Sequence, residues 1–163
     1  MGYADNTIRG KIHTSDMITT SNTESIATLD HPVKFKKTII LYNPLPGYSN
    51  EDKGVPLSIL SIAAPLEHKG YNIKILDAKV HAHDTECIRK ALSWLDDAIC
   101  VGITTMTGPQ VKGALNMARA IKREAPEIPI VFGGWHPTLL PEETINHELV
   151  DIVVKGQGYN SFS

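Results

Sequence analysis

From Lys37 onward, short apolar runs alternate with longer amphipathic stretches, a pattern that predicts an α/β domain whose parallel sheet is covered by helices. Five runs of strand length and four of helical period point to a flavodoxin-like (Rossmann-like), doubly wound sheet of order 2-1-3-4-5. Punctuation agrees: four of the five runs end in turns rich in glycine, proline or hydroxyls. Right-handed crossovers then follow from strand twist.

The elements fall in order. Thr38-Ile-Ile-Leu-Tyr42 is the first strand, ended by Asn43-Pro-Leu-Pro-Gly47. Leu57, Leu60, Ala63, Ala64 and Leu66 recur at helical spacing, and Lys69-Gly70 supplies a stop. Tyr71 to Leu76 gives a second strand, closed by Asp77. Asp84 or Thr85 can cap a helix with Ile88, Ala91, Leu92 and Leu95 on its inner face. Ala98 to Ile103 is the third strand, and Thr104-Thr-Met-Thr-Gly108 follows it. Val111, Ala114, Leu115, Ala118 and Ile121 mark the next helix. Pro129 to Phe132 is the fourth strand, followed by a Gly133-Gly134 break and a loop leading to a helix opened by Pro141. Asp151 to Val154 is the fifth.

The flanks differ. Residues 1–35 are rich in Ser and Thr and poor in aliphatic clusters, so they read as a flexible leader. Residues 36–160 form the domain and 161–163 a tail. No fifth helix follows the last strand, which is expected to leave apolar sheet surface open unless a partner chain, a downstream domain or the leader covers it.

Composition excludes several classes. The 163 residues carry a net charge of −2, against the basic face that nucleic acid requires. No apolar run approaches the ~20 residues of a membrane span, and the start lacks the apolar core of a signal peptide, so the chain reads as cytoplasmic. Cys87 and Cys100 lack metal-type spacing and read as small buried residues. His81 and His83 lack a third ligand; no metal site and no catalytic residue is assigned. Nucleophile elbows, dinucleotide fingerprints and phosphate loops are all missing from the sequence.

Ligands of open parallel sheets bind beyond the carboxyl ends of the strands. That rule selects Asn43–Gly47, Thr104–Gly108, Gly133–Pro137 and Gly156–Gly158, loops suited to a large, mostly neutral ligand. His136 falls within this mouth as a ligand contact or a loop anchor. Trp135 is either a ligand wall or a core plug.

These loops also carry a resemblance. Asn43-Pro-Leu-Pro, Gly54 to Gly70, Val101-Gly-Ile-Thr-Thr105, Gly133-Gly-Trp-His-Pro-Thr138 with Pro141-Glu-Glu143, and Asp151 to Gly156 together resemble the N-terminal cobalamin (B12)-binding domain of B12-dependent radical SAM proteins. The resemblance implies cobalamin over the strand ends, with its nucleotide tail beside the sheet. It places cofactor contacts at Asn43, Pro44, Thr104, Thr105, Met106, Thr107, Gly133, Gly134, Trp135, His136 and Gly156. Gly133 and Gly134 are where a side chain would obstruct the tail, and Gly134→Leu is expected to abolish binding while sparing the fold.

Two departures bear on this. The loop from Asn43 to Pro56 lacks the histidine that ligates cobalt in mutase-type domains, so no protein His ligand is expected. Gly156-Gln-Gly-Tyr159 replaces an acidic Gly-Glu-Gly-Glu. The chain also lacks Cys-x-x-x-Cys-x-x-Cys, the thiolate set that holds an iron–sulfur cluster. The cluster and SAM are therefore expected in a missing domain or a partner, and the chain is read as truncated or stand-alone and incomplete for catalysis. Two other readings remain: an interaction or regulatory domain that has lost the cofactor, and a flavin or nucleotide enzyme.

Overall fold

The computed structural model describes residues 8–10, 37–47, 54–81 and 83–158. Among these, six strands form one sheet: β1 (Ile8–Gly10), β2 (Thr38–Asn43), β3 (Asn72–Asp77), β4 (Ala98–Thr104), β5 (Ile130–Gly133) and β6 (Ile152–Val154). Their spatial order is β1-β6-β5-β4-β2-β3. Strands β2 to β6 pair in parallel and give the 2-1-3-4-5 arrangement that the alternating runs predict. β1 is additional, pairing antiparallel with β6 so that Ile8 faces Val154 and Gly10 faces Ile152. It lies within the stretch read as a leader. The rest of residues 1–35, and the tail at 161–163, fall outside the described residues.

Among the described residues five α-helices connect the strands: α1 (Leu57–His68), α2 (Asp84–Leu92), α3 (Pro109–Glu124), α4 (Trp135–Leu139) and α5 (Pro141–Ile145). On one face Ile40, Tyr42, Leu76, Val101, Ile103, Ile130 and Phe132 pack against Cys87, Ala91, Ala114, Met117, Ala118, Ile121 and Ile145. Each large apolar side chain buried there contributes roughly 1.5–3 kcal/mol. On the other face Ile39 and Leu41 meet Ile59, Ala63 and Leu66 of α1. The end of α3 is tied down by Lys122, whose Nζ donates to Pro126 O and Ile128 O and pairs with Asp151 at 2.7 Å.

Three local expectations need correction. The inner face of α1 is Ile59, Ala63 and Leu66, and Leu57 and Leu60 are exposed. Asp84 does not cap α2; His83 holds that position, and the Asp84 carboxylate instead accepts from Tyr42 OH and from Leu45 N–H. Beyond Gly134 the chain turns at once into α4 rather than running as a loop.

The face beside α1 is also less open than expected. Cys100 and Ile152 are half-buried there, but Val131 and Val154 are buried. The segment after β6 crosses back over this face: a Cβ added to Gly158 would lie 3.0 Å from Ile62 Cδ1 and 3.9 Å from Val154 Cγ1.

Candidate functional site: the carboxyl edge of the sheet

Register sets the geometry of this edge. Leu41, which packs on α1, lies opposite Gly102 of β4 and Ile75 of β3. Side chains alternate along a strand, so the residues two positions further on share this face. Asn43 pairs with Asp77, and Thr104 pairs with Gly133. The last residues of β3, β2, β4 and β5 thus form a row, Asp77–Asn43–Thr104–Gly133, spanning about 14 Å at the usual strand spacing.

The members of the row are not equivalent. Asn43 Nδ2 donates to Asp77 Oδ1 at 3.2 Å. Among the described residues the Thr104 hydroxyl has no partner. Among the described residues, a Cβ added to Gly133 would meet only Val154 Cβ, at 4.0 Å.

Gly134 behaves differently. Its φ is +97°, and an added Cβ would fall 2.8 Å from Thr105 O and 2.9 Å from Thr104 Oγ1. A side chain there collides with the protein before it reaches any ligand, so Gly134 lets α4 approach the loop after β4. The expectation that Gly134→Leu spares the fold is therefore corrected.

Hydrogen bonds hold the loops in place. Thr105 is fully buried; its N–H donates to Gly133 O at 2.9 Å, and its hydroxyl lies 3.5 Å from the same oxygen. His136 is buried, its N–H donates to Thr105 O at 3.0 Å, and its Nδ1 lies 3.3 Å from Thr107 Oγ1. These contacts tie it to the loop after β4. Trp135 is 69% exposed, which removes the core-plug alternative. Gly156 N–H donates to Thr138 Oγ1, which in turn donates to Gly134 O at 2.6 Å.

Sequence reasoning passed over Gln110. Only 7% exposed in the first turn of α3, it accepts from Met106 N–H at 2.8 Å and donates to Pro44 O at 2.9 Å. It thereby fixes the β2 loop to the β4 loop. The signal available was a polar residue one step after Pro109, at the start of a helix facing the mouth. A hollow of about 160 Å³ lies over it, lined by Pro46, Gly47, Met106, Thr107, Pro109 and Gln110. A second, of about 150 Å³, is lined by Gly54, Asp77, Lys79 and Val80.

The ionisable groups of the core are held in check. Burial, reinforced by the neighbouring Asp84, drives the Tyr42 hydroxyl far above its ordinary pKa. Burial likewise pushes the Cys87 thiol up to about 12 and Cys100 to about 11. His81 Nδ1 lies 3.2 Å from Lys90 Nζ. Among the described residues no cluster of His, Cys, Asp and Glu could hold a metal ion, and no helix is long and apolar enough to cross a membrane.

A parallel sheet of this order, with a glycine ending its fourth parallel strand, defines a class of α/β domain. The chain belongs to the B12-binding domain family, whose model matches residues 49–163. It is 24% identical over 127 residues to the anaerobic magnesium-protoporphyrin IX monomethyl ester cyclase of Synechocystis sp., covering 75% of this chain and 25% of that protein. It is 28% identical over 125 residues to the cytidylyl-2-hydroxyethylphosphonate methyltransferase of Streptomyces wedmorensis, covering 66% and 23%. In fold it is similar to the radical S-adenosylmethionine methyltransferase TsrM of Kitasatospora setae. With tryptophan and a SAM analogue bound, that structure aligns at a TM-score of 0.60 and 20% identity, covering 76% of this chain and 24% of TsrM. With cobalamin and a [4Fe-4S] cluster bound, it aligns at 0.52 and 19%, covering 66% and 20%. The chain thus spans about a quarter of the length of the relatives it matches.

Proposed function

We propose that this chain binds cobalamin across the carboxyl edge of its sheet and presents it to a radical SAM domain of the methyltransferase or cyclase kind. The carrying observation is the open slot at Gly133, flanked by the partnerless Thr104 hydroxyl and held by a family member's sheet. A nucleotide tail needs both: a path free of side chains and a donor or acceptor to fix it.

The residues present fit that group. Gly133 and Thr104 would line the tail, with Ile62 of α1 and Gly158 bounding the far side. Met106 and Trp135, both exposed at the rim, would offer apolar contact to the macrocycle. Asn43 and Pro44 sit at the inner edge. Thr105, His136, Gly134 and Gly156 act one step back by holding the loops. When bound, the cobalt centre supplies methyl-carrying or redox chemistry. In this reading no histidine of the chain ligates it, because residues 43–56 contain none. The iron–sulfur cluster and SAM belong to another domain or partner. The free thiols of Cys87 and Cys100 suit the reducing cytoplasm that such chemistry needs.

The test is calorimetric titration of the chain with hydroxocobalamin, with the absorption spectrum recorded alongside. Binding at micromolar concentration or tighter is expected. A folded chain that takes up no form of cobalamin would overturn the reading.

A further inference from the structure

The loop after β2 is laid along one stripe of α3. Pro109 and Gln110 stand four and three positions before Gly113, so both share a helix face with it. Each of the three meets a different part of residues 44–47. A Cβ added to Gly113 would lie 3.0 Å from Pro44 Cβ, and Gln110 Nε2 donates to Pro44 O at 2.9 Å. Pro109 abuts Gly47, whose φ is +82° and whose missing Cβ would collide with the Pro109 ring.

A second grip comes from α2. Asp84 opens that helix, and its Oδ1 accepts from Tyr42 OH and, at 3.4 Å, from Leu45 N–H. Its Oδ2 comes within 2.9 Å of the point that a Gly113 Cβ would occupy. The carboxylate is thus wedged between the loop and α3, and Gly113 makes room for it. Gly113 is helical, so its backbone conformation admits any residue, and alanine is the better helix former. The glycine serves close approach instead.

The two sides of the sheet divide the ligand. Tyr42 and Pro44 pack on the side of α2 and α3. Asn43, Thr104 and Gly133 form their row on the side of α1. In the cobalamin reading the nucleotide tail passes Gly133, on that α1 side. Residues 44–47 then meet the part of the ligand that lies over the strand ends, the corrin ring.

We infer that Gly113 and Asp84 are positioning residues for the corrin ring, setting how far the loop at 44–47 stands from the strand ends. The inference rests on the cobalamin reading and deepens it, since both residues act through the loop rather than on the ligand.

Gly113→Ala, Asp84→Ala and Asp84→Asn are titrated with hydroxocobalamin and with cobinamide, which lacks the nucleotide tail. Gly113→Ala adds one methyl group, to which Pro44 and the Asp84 carboxylate must give way. It is expected to weaken both ligands by the same factor, about tenfold, while the urea midpoint changes little because helix propensity offsets the crowding. Loss of stability alone would move that midpoint and leave the affinity of the folded protein where it was. Asp84→Ala removes the acceptor of Leu45 N–H and is expected to weaken both ligands alike. Asp84→Asn keeps an oxygen acceptor and is expected to restore most of the affinity. Gly113→Ala decides the matter even where Asp84→Ala fails to fold. A folded Gly113→Ala that binds cobinamide as tightly as the parent, or a loss confined to cobalamin, overturns the inference and leaves the cobalamin reading intact. A parent that binds cobalamin but ignores cobinamide does the same. A parent that binds no cobalamin form overturns both.

Discussion

Gly133 and Gly134 are neighbours, yet a methyl group added to each meets a different world. At Gly133 it enters open space beside Val154, and at Gly134 it strikes the backbone of Thr105 at 2.8 Å. Gly134 also holds φ at +97°, a region that other residues occupy only at a cost of about 1–3 kcal/mol. The two substitutions should therefore separate. Gly134→Ala is expected to lower unfolding free energy by about 3 kcal/mol, strain and collision together, read from urea denaturation. Gly133→Val should stay within about 1 kcal/mol of the parent in the same experiment, since a strand end tolerates it. It should nevertheless weaken cobalamin about a hundredfold, or about 2.7 kcal/mol, in calorimetry. Equal stability losses at the two positions would count against this assignment. The glycine pair was plain in the sequence. Which glycine has space beside it was not, because that depends on a dihedral angle and on the loop after β4.

At the scale of elements, the mouth is kept in shape by a side chain belonging to a helix. Gln110 uses both ends of its amide, on Met106 N–H and Pro44 O, so the loops after β2 and β4 hold a fixed spacing. Gln110→Leu leaves both backbone groups unpaired, the Pro44 carbonyl buried and the Met106 N–H part-buried, and a loss of about 1–3 kcal/mol in unfolding free energy is expected. Amide exchange at Met106 should accelerate well beyond the change at residues outside the mouth. If protection at Met106 is unchanged, the clamp is not what holds the loop. A glutamine in a first helical turn reads as surface, and nothing in the periodicity of α3 singles it out. The short helix α4 was equally hidden. Trp135-His-Pro-Thr-Leu139 shows no apolar period, and Pro137 disguises a first turn that tolerates it well. By contrast, α2 and α3 were readable because Ala91, Ala114, Ala118 and Ile121 sit on a buried stripe.

For the whole molecule, strand order was legible because alternating strands and helices leave few right-handed parallel topologies. The core that results also shapes the response to pH. Tyr42, Cys87 and Cys100 hold their protons more tightly when folded, chiefly through burial. At neutral pH each is protonated in both states and contributes no pH dependence. As pH rises past the ordinary thiol and phenol values, the unfolded chain releases protons that the folded one keeps. The unfolded state is then favoured, by up to about 1.4 kcal/mol per pH unit for each group. Unfolding free energy should therefore be flat near neutrality, decline above about pH 9 as unfolded thiols ionise, and steepen above about pH 10 with the phenol. Urea titrations at stepped pH would show it, and Cys87→Ala should soften the earlier part of the decline. A flat profile to pH 10.5 would contradict the burial of these groups.

The antiparallel pair at the sheet's outer edge sets an order of events. Gly10 lies opposite Ile152, at the amino end of β6, and Thr38 begins β2 at that same end of the sheet. Gly10 and Thr38 thus both lie on the side away from the carboxyl edge of the parallel strands. Strands β2 to β6 can complete their parallel pairing without β1, which then docks onto a finished template through three residues. So small a unit can also let go while the rest stays folded, which makes it a local opening event of low free energy. In native-state hydrogen exchange its amides should lose protection first, and each opening would briefly offer the outer rim of β6 to another strand.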